Sequence, residues 1–322
     1  MSKNFSAKIN IQNPPKAKPK EYYIRLKDES SDPRFTVLDW EYTFDKREDS
    51  FGTAEGKDPK LNFRRAFIPE AGHLWVSCDF AGQELKIVAN LSGEKRWIDA
   101  FRHGEDIHKA TAEAIWGKEN YKPELRKAAK TINFAVLYGT GAKSLGESLG
   151  VTEKEAQGYI DSFFIGLPNI KKLFNRMQML AERNGEVTNL YGRKRRLKQY
   201  INRWGKITPA GKRRSVNFPV QSMGAEIVKI ALIKIYDNIL TNEKYKDKVL
   251  FMSTIHDEIN FSVDPKYIEE AVSEISKNMN HTIPGRPIPV ETDIEIGTSM
   301  GLLWGFTQDK ETLKLTPQYT PI

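Results

Sequence analysis

The feature that most constrains the fold is a long helical block set between short, strand-like segments. Residues 96–182 carry apolar side chains mostly at helical spacing, with a break at Pro168. Apolar runs lie before this block at Leu74–Cys78 and after it at Val249–Ile255 and Ile259–Val263. Their length and their β-branched and aromatic content are typical of strands. We therefore predict an α+β protein in which a helical block interrupts a sheet-forming region.

Charge and cysteine content narrow the class of protein. The 322 residues include 50 Lys and Arg against 42 Asp and Glu, which gives a net charge of +8. Such a surplus favours a polyanionic partner, and nucleic acid first. Cys78 is the only cysteine, which excludes a disulfide framework and a cysteine-rich zinc site. No apolar run approaches the roughly 20 residues that span a bilayer. We expect no membrane partner and a cytoplasmic location in a bacterial or virus-infected cell.

The same patterns predict the remaining elements. Residues 1–20 are polar, with prolines between lysines, and predict an extended, mobile tail. Residues 186–205 are turn-rich and strongly basic. Gly139 and Gly141 are expected to end the helix that precedes them. Further strands are predicted at Tyr22–Leu26, Phe35–Phe44 and Ile288–Ile296, and further helices at Gln83–Leu91, Ala225–Leu240 and Tyr267–Met279.

Two aspartates stand where predicted strands end. Asp79 follows the first apolar run, and Asp257 lies at the bend between the later two. Carboxylates on neighbouring strand ends can share Mg²⁺, which takes oxygen ligands and keeps waters for substrate phosphates. Two such ions stabilise both the attacking and the leaving oxygen of a phosphoryl transfer. Taken alone, the more common roles are a helix cap for Asp79 and a turn residue for Asp257.

Four side chains recur at intervals of four along one predicted helix. Each such step changes direction by about 40°, so the four lie along one stripe about 18 Å long. Two cations followed by two aromatic rings suit a nucleotide, with its phosphates on the cations and its sugar and base on the rings. Taken without further context, an ordinary amphipathic helix with a solvated basic start and a buried aromatic end is the more common explanation. The four residues are Arg126, Lys130, Phe134 and Tyr138.

Three segments in a fixed order carry a resemblance to a known family. They are Asp79-Phe-Ala-Gly-Gln-Glu84-Leu, Arg126-Lys-Ala-Ala-Lys130-Thr-Ile-Asn-Phe134-Ala-Val-Leu-Tyr138-Gly, and His256-Asp257-Glu258. These segments are similar to motifs A, B and C of the family A, or DNA polymerase I-like, polymerases. The flanking segments Gly104–His108 and Asn217–Gln221 agree, and the resemblance runs from about Gly56 to Phe306. Any one motif is a weak signal, but the ordered set is specific.

The resemblance implies a right-hand polymerase, with a palm of antiparallel sheet and helices and an inserted helical fingers subdomain. It implies a DNA-directed DNA polymerase with two Mg²⁺, which Mn²⁺ could replace, on Asp79, Asp257 and the backbone carbonyl of Phe80. Lys130 would also protonate the leaving pyrophosphate, and Glu258 would be an auxiliary carboxylate or a solvated turn residue. Glu84 would exclude a ribose 2′-hydroxyl, and a phenylalanine at Phe134 implies discrimination against dideoxynucleotides. The full set of implied dNTP-binding residues is Glu84, His108, Arg126, Lys130, Phe134 and Tyr138.

The resemblance also implies a primer–template site. Lys57 stands where the family has an arginine, and lysine supplies a point charge rather than a planar fork, so we expect a weaker grip on the primer. The other residues implied to contact DNA near its growing end are Arg213, Asn217, Gln221 and His256.

The resemblance divides the chain into an N-terminal extension (1–55), palm (56–95), fingers (96–205) and palm again (206–322). Because about 55 residues precede the matched region, we expect no thumb and no exonuclease domain in this chain. We expect a minimal palm–fingers enzyme or one subunit of a split polymerase, with a separate thumb, exonuclease or processivity subunit. Its other partners would be primer–template DNA and dNTPs. A non-catalytic DNA-binding scaffold and a single-subunit type of RNA polymerase remain as alternatives, although Glu84 argues against the latter.

Overall fold

The structure, a computed structural model, describes residues 24–26, 40–42, 63–309 and 311–317. The predicted tail at 1–20, the first two residues of the predicted strand Tyr22–Leu26, most of the predicted strand Phe35–Phe44, and Lys57 lie outside the described residues. The strands are β1 (Ile24–Leu26), β2 (Trp40–Tyr42), β3 (Leu74–Phe80), β4 (Glu186–Thr188), β5 (Lys194–Arg196), β6 (Val249–Ile255), β7 (Glu258–Val263), β8 (His281–Thr282), β9 (Pro289–Val290), β10 (Thr292–Ser299), β11 (Leu302–Gln308) and β12 (Leu315–Pro317). The helices are α1 (Gln83–Ser92), α2 (Lys95–Arg102), α3 (Ile107–Trp116), α4 (Pro123–Tyr138), α5 (Ala142–Leu149), α6 (Glu153–Gly166), α7 (Pro168–Asn184), α8 (Pro209–Ile235) and α9 (Ile268–Met279).

The chain divides into two compact units. The sheet unit contains the described residues up to Phe80, Leu232–Met279 and the described residues from Thr292 onward. The helical unit contains Ala81–Ala231 and Asn280–Glu291. The predicted α+β class is confirmed, and the helices do interrupt the sheet-forming part of the chain. No helix in the described ranges is long and apolar enough to cross a membrane.

The sheet unit is built on six antiparallel strands in the order β12-β11-β10-β3-β7-β6. Every residue of β3 is buried except Asp79, and every residue of β7 is buried. The apolar residues of β3 are nearly continuous and those of β7 alternate with polar ones, and both patterns were visible in the sequence as strands. The strand β6 lies at the sheet edge and exposes Phe251 and Met252. The helix α9 packs on β3 and β10, and its buried side chains include Ala271, Val272 and Ile275.

The helical unit follows its proline and glycine signals closely. Pro123 and Pro168 occupy the first turns of α4 and α7, where a missing N–H costs nothing. Gly139 ends α4 in the left-handed conformation with φ of 68°. Gly141 differs from the prediction, because it precedes α5 as its N-cap instead of ending α4.

Two elements depart from their predicted bounds. The helix α8 begins at Pro209, well before the predicted start at Ala225, and continues through Pro219 into a π-helical turn at Tyr236–Leu240. Its first two turns, residues 209–215, contain no large apolar side chain, and Pro219 follows, a combination that normally predicts a break. The predicted strand Ile288–Ile296 is divided at Glu291, whose carbonyl accepts a hydrogen bond from the Ala81 N–H at 2.9 Å. The two halves pair with different partners, β9 with β8 and β10 with the sheet.

Candidate active site

Strand pairing brings the two predicted aspartates to neighbouring strand ends. In the register of β3 and β7, Asp79 lies opposite Glu258, the residue that follows Asp257. The N–H of Phe80 donates to the carbonyl oxygen of Asp257 at 3.4 Å. Both aspartates are half-buried, whereas Cys78 and Phe80 on either side of Asp79 are fully buried. The main chain therefore places two carboxylates, distant in sequence, at one end of the sheet.

The donor set at this end fits a hard divalent cation. Asp79 and Asp257 would supply carboxylate oxygens, and Phe80 would supply a backbone carbonyl. Mg²⁺ is bound in this way, through one or two carboxylates together with substrate phosphates and waters. Within the described ranges, no group of three or more His, Cys, Asp or Glu side chains could form an all-protein cage. These oxygen donors suit a hard divalent cation whose remaining ligands would come from water and substrate.

Glu258 belongs to a buried polar network beneath the two aspartates. The Ser77 hydroxyl donates to Glu258 Oε1 at 2.9 Å, and Arg64 Nη1 lies 3.9 Å from Glu258 Oε2. The side chains of Glu258 and Arg64 are only 9% and 5% exposed. Glu258 is therefore not a solvated turn residue, and its carboxylate is held by groups of the sheet unit.

The buried cysteine lies close to the negative charges of two of these carboxylates. Burial, and after it the negative charges of Glu258 and Asp79, hold the pKa of the Cys78 thiol well above its usual range. A thiol that stays protonated is a poor nucleophile. Cys78 therefore acts as a small apolar residue in the core of the sheet.

The turn that carries Asp257 has an unusual backbone. Ile255 pairs with Glu258, so His256 and Asp257 form a two-residue hairpin turn. His256 has φ of 58°, a left-handed conformation that short hairpin turns require and that few non-glycine residues adopt. The side chain of His256 is exposed at this turn. The strained turn fixes the position at which Asp257 leaves the sheet.

The predicted stripe on α4 lies on the accessible side of the helix. Arg126 and Lys130 are exposed, Phe134 is half-buried and Tyr138 is 39% exposed. The aromatic end of the stripe is therefore not a buried one. The residues that α4 buries lie between stripe positions: Ala129, Ile132, Asn133, Ala135, Val136 and Leu137.

The aromatic part of the stripe is ordered by contacts within the helical unit. The rings of Phe134 and Tyr138 are stacked with centroids 6.4 Å apart, and the ring of His108 lies 6.2 Å from Phe134. The Tyr138 hydroxyl donates to Glu84 Oε2 at 2.5 Å. Four of the predicted nucleotide-binding residues, from three helices, therefore form one continuous set.

The cationic part is organised by Asp106. Its carboxylate accepts from the N–H groups of His108 and Lys109 as the N-cap of α3, and it pairs with Arg126 Nε at 2.5 Å. Burial raises the pKa of Asp106, but the hydrogen bonds from Lys109 and Arg126 outweigh it, so that this pKa lies below its usual value. One ionised carboxylate thus joins the start of α3 to the first cation of the stripe.

His108 is held as a neutral imidazole. Its burial lowers its pKa to about 4, and the positive charges of Lys130 and Arg126 act in the same direction, against the charge of Asp106. The amide nitrogen of buried Asn133 donates to His108 Nδ1 at 2.9 Å. A neutral ring that accepts at Nδ1 carries its proton on Nε2. His108 is therefore a hydrogen-bond donor at neutral pH.

The helix α8 brings two predicted DNA-binding residues to the end of α4. Asn217 Nδ2 donates to the Tyr138 carbonyl oxygen at 3.1 Å. A β-carbon on Gly139 would lie 2.7 Å from Cγ of Arg213, so the glycine permits the close approach of α8. One turn further along α8, Gln221 is exposed.

Comparison with known proteins identifies the family. The sequence profile of DNA polymerase family A matches residues 52–302. The chain belongs to DNA polymerase family A. It is 32% identical over 267 residues to the thermostable DNA polymerase I of Thermus aquaticus, and 33% identical over 230 residues to DNA polymerase I of Pseudomonas aeruginosa. These matches cover 79% and 71% of this chain.

The family A relatives are longer than this chain. The match covers 31% of the Thermus protein and 24% of the Pseudomonas protein. The fold is similar to that of the POL domain of Pol1 from M. smegmatis, solved in complex with a DNA primer-template and dNTP, with a TM-score of 0.66 and 24% sequence identity. That similarity covers 78% of this chain and 44% of the mycobacterial one.

Within this family A chain, sequence reasoning missed the residues that hold the predicted ones in place. Ser77 and Arg64 contact Glu258, while Asp106 and Asn133 contact Arg126 and His108. Asp106 gave one signal, since an aspartate directly before a helical pattern is a typical N-cap. Asn133 gave none, because its partner lies on another helix.

Proposed function

We propose that this chain is a template-directed DNA polymerase that joins a dNTP to a primer 3′-hydroxyl and releases pyrophosphate. The observation that carries the proposal is the pairing of β3 with β7, which sets Asp79 and Asp257 at one end of the sheet. Membership of DNA polymerase family A supports the reaction class.

Asp79, Asp257 and the Phe80 carbonyl would hold two Mg²⁺ ions, or Mn²⁺ in their place. When bound, these ions would lower the pKa of the primer hydroxyl and stabilise charge that develops on the reacting phosphate. The buried network of Ser77, Glu258 and Arg64 keeps the supporting strands in register. Glu258 then acts on the site as a positioning residue.

The face of α4 would bind the incoming dNTP. Arg126 and Lys130 would neutralise the triphosphate, and neutral His108 would donate its Nε2 proton to a phosphate oxygen. Lys130 would also give a proton to the leaving pyrophosphate. The contact between Glu84 and Tyr138 supports the paired roles in which Glu84 excludes a 2′-hydroxyl and Tyr138 closes on the base, with Phe134 beside the sugar.

The primer–template would be contacted by Arg213, Asn217, Gln221 and His256, and by Lys57. The contacts of Arg213 and Asn217 with the end of α4 support this assignment, because they set these residues beside the nucleotide-binding helix. Minor-groove acceptors are nearly degenerate, so contacts there test the shape of a base pair more than its sequence.

We assign the sheet unit to the palm and most of the helical unit to the fingers. A thumb, an exonuclease or a processivity subunit supplied by another chain is part of this proposal, and co-expression with neighbouring gene products would test it. Recovery of processive synthesis only with such a partner would support a split polymerase.

The decisive experiment is primer extension by the purified chain with Mg²⁺ and four dNTPs. We expect Asp257→Asn to keep the fold and DNA binding but to lose extension by about 1,000-fold or more, because it removes a carboxylate charge at the metal site. Asp247→Asn is the matched control, since Asp247 is exposed and its left-handed φ of 59° suits asparagine.

Each other result has a distinct meaning. Normal extension by Asp257→Asn would contradict the metal assignment. A folded wild-type chain that binds primer–template without extending it would favour a non-catalytic scaffold. Extension with rNTPs in preference to dNTPs would favour an RNA polymerase.

A further inference from the structure

One segment of the helical unit contains the whole positive surplus of the chain. Between Glu186 and Glu226 there is no acidic residue, and residues 187–225 contain ten of the 50 Lys and Arg. The rest of the chain has the remaining 40 against all 42 Asp and Glu, a net charge of −2. The ten residues are Arg193, Lys194, Arg195, Arg196, Lys198, Arg203, Lys206, Lys212, Arg213 and Arg214.

Most of these charges have no acidic partner among the described residues. Three of them form ion pairs, Arg193 with Glu226, Lys194 with Glu186 and Lys206 with Glu182. The other seven have no ion pair in the part of the chain that the structure describes. Six of those seven are exposed, and Arg195 is half-buried. This segment therefore offers several positive charges that an external polyanion could neutralise.

A rigid hairpin turn presents Trp204 in the same segment. Trp204 is 70% exposed. The Gly205 N–H donates to the Asn202 carbonyl oxygen at 3.0 Å, and the Asn202 N–H donates to the Lys206 carbonyl oxygen at 2.8 Å. The Asn202 side-chain oxygen accepts from the N–H groups of Trp204 and Lys206, each at 3.0 Å. Gly205 has φ of 76°, as the glycine after such a turn requires. The indole is thus held out from the surface by a fixed backbone.

Three guanidinium groups lie over aromatic rings in this region. Arg203 is 4.2 Å from the Trp204 ring centroid, Arg214 is 5.0 Å from that of Tyr200, and Arg195 is 5.8 Å from that of Phe218. Tyr200 and Phe218 pack on a small core of Ala181, Val187, Leu197 and Ile207. The six residues of the three pairs, with Arg196 and Lys198, form what we call the arginine–aromatic surface.

We propose that the arginine–aromatic surface binds single-stranded DNA, with one base stacked on Trp204 and the phosphates on the surrounding cations. An exposed ring with an adjacent guanidinium suits an unpaired base, because every base has a π-face and stacking tolerates any sequence. The bases of a duplex are stacked on one another and cannot use Trp204. An acidic protein would satisfy the charges but would leave the exposed indole unexplained.

The proposal rests on the polymerase function only for the identity of the strand, which would be the unpaired template. None of its residues belongs to the stripe on α4 or to the carboxylates of the sheet. Its binding should therefore need neither Mg²⁺ nor dNTP.

The test is the affinity of the purified full chain for a labelled oligothymidylate of about 20 nucleotides, measured by fluorescence anisotropy without Mg²⁺ or dNTP. We expect Trp204→Ala to weaken binding about tenfold and Trp204→Phe, which keeps a ring, to restore most of it. Tyr236→Ala is the matched control, since Tyr236 is 59% exposed and lies in the sheet unit. Binding of a blunt duplex should be nearly unchanged by Trp204→Ala.

The charges are tested by salt dependence. For single strands, the slope of log affinity against log salt falls by about 0.7 for each phosphate that the protein no longer neutralises. Changing both Arg196 and Lys198 to alanine should therefore reduce the slope by about 1.4. An unchanged slope would overturn the role of these two cations.

The outcomes separate this proposal from the polymerase proposal. Wild-type affinity in Trp204→Ala, an equal loss for duplex and single strand, or no oligothymidylate binding by the wild type would each overturn the surface. Asp257→Asn should bind the oligothymidylate as the wild type does. If neither the wild type nor any variant extends a primer, but Trp204→Ala still weakens single-strand binding, the arginine–aromatic surface is supported and the polymerase proposal fails.

Discussion

The two regions that carry the predicted site are built by different means. At the end of the sheet, Asp79 and Asp257 are placed by main-chain hydrogen bonds between β3 and β7, above a buried network. On α4, Arg126 and Lys130 are exposed side chains, and their order depends on contacts such as that of Asp106 with Arg126. Substitutions beneath the sheet site should therefore reduce stability, whereas substitutions on the α4 face should reduce activity in a chain that stays folded.

Among the substitutions that test this contrast, Glu258→Ala is expected to have the largest effect. It leaves Arg64 buried without this carboxylate and Ser77 without its acceptor, and removal of one member of a buried pair is costly. We expect the free energy of unfolding in urea to fall by about 2–3 kcal/mol. Glu258→Gln keeps an acceptor for Ser77 and should lose less. If both variants were as stable as the wild type, the end of the sheet would tolerate substitution as well as the α4 face, and the contrast would be wrong.

On α4, the corresponding change is Lys130→Ala. We expect kcat/KM for the incoming dNTP to fall about 100-fold, since a positioned cation is lost from the developing charge, with no change in the urea midpoint. Lys127→Ala, an exposed lysine one turn earlier on the same helix, is the control. Similar losses in the two variants would show that only net charge matters at this face.

A smaller effect is expected for Asp106→Asn. Asparagine also caps helices, so stability should be kept, but the charge that holds Arg126 Nε is lost. We expect KM for dNTP to rise about fivefold, with little change in kcat, because the terminal guanidinium nitrogens lose their orientation. A lower KM would show instead that Asp106 competes with the triphosphate.

The smallest effect concerns His108 and pH. Its pKa is about 4 in the folded chain and near 6.5 when unfolded. Between these values the unfolded state binds the extra proton, so this contribution to stability is complete above pH 6.5 and is lost as pH falls toward 4. The slope from this residue cannot exceed about 1.4 kcal/mol per pH unit. Urea unfolding from pH 6 to 7, where this contribution changes by less than about 1 kcal/mol, should show a shallower dependence in His108→Gln; identical curves would contradict the lowered pKa.

Local signals predicted most of the elements. The strands β6 and β7 and the helix α9 carry their apolar pattern within a few residues and were found close to their observed bounds. The division of Ile288–Ile296 was missed because it depends on a hydrogen bond from Ala81, about 200 residues earlier. The start of α8 was missed because Pro219 opposed it and the first two turns, residues 209–215, have no large apolar side chain.

The residues of the candidate site also differ in whether local sequence patterns could predict their positions. The stripe on α4 could be read from spacing alone, because helix geometry fixes which residues share a face. The meeting of Asp79 with Asp257 follows from a strand register that no local pattern contains, and only the family resemblance implied it. The contacts of Asp106 and Asn133 depend on how α3 packs on α4, so the sequence alone could not predict their roles.

The close approach at Gly139 has a mechanical consequence. Because Arg213 occupies the space of a β-carbon on Gly139, and Asn217 is bonded to the Tyr138 carbonyl, the end of α4 is joined to α8 at two points. A tilt of α4 that moves Tyr138 must carry Asn217 with it. In the proposed polymerase, nucleotide binding on α4 and primer–template binding on α8 would therefore be mechanically coupled, and a mismatch that displaces one helix would displace the other.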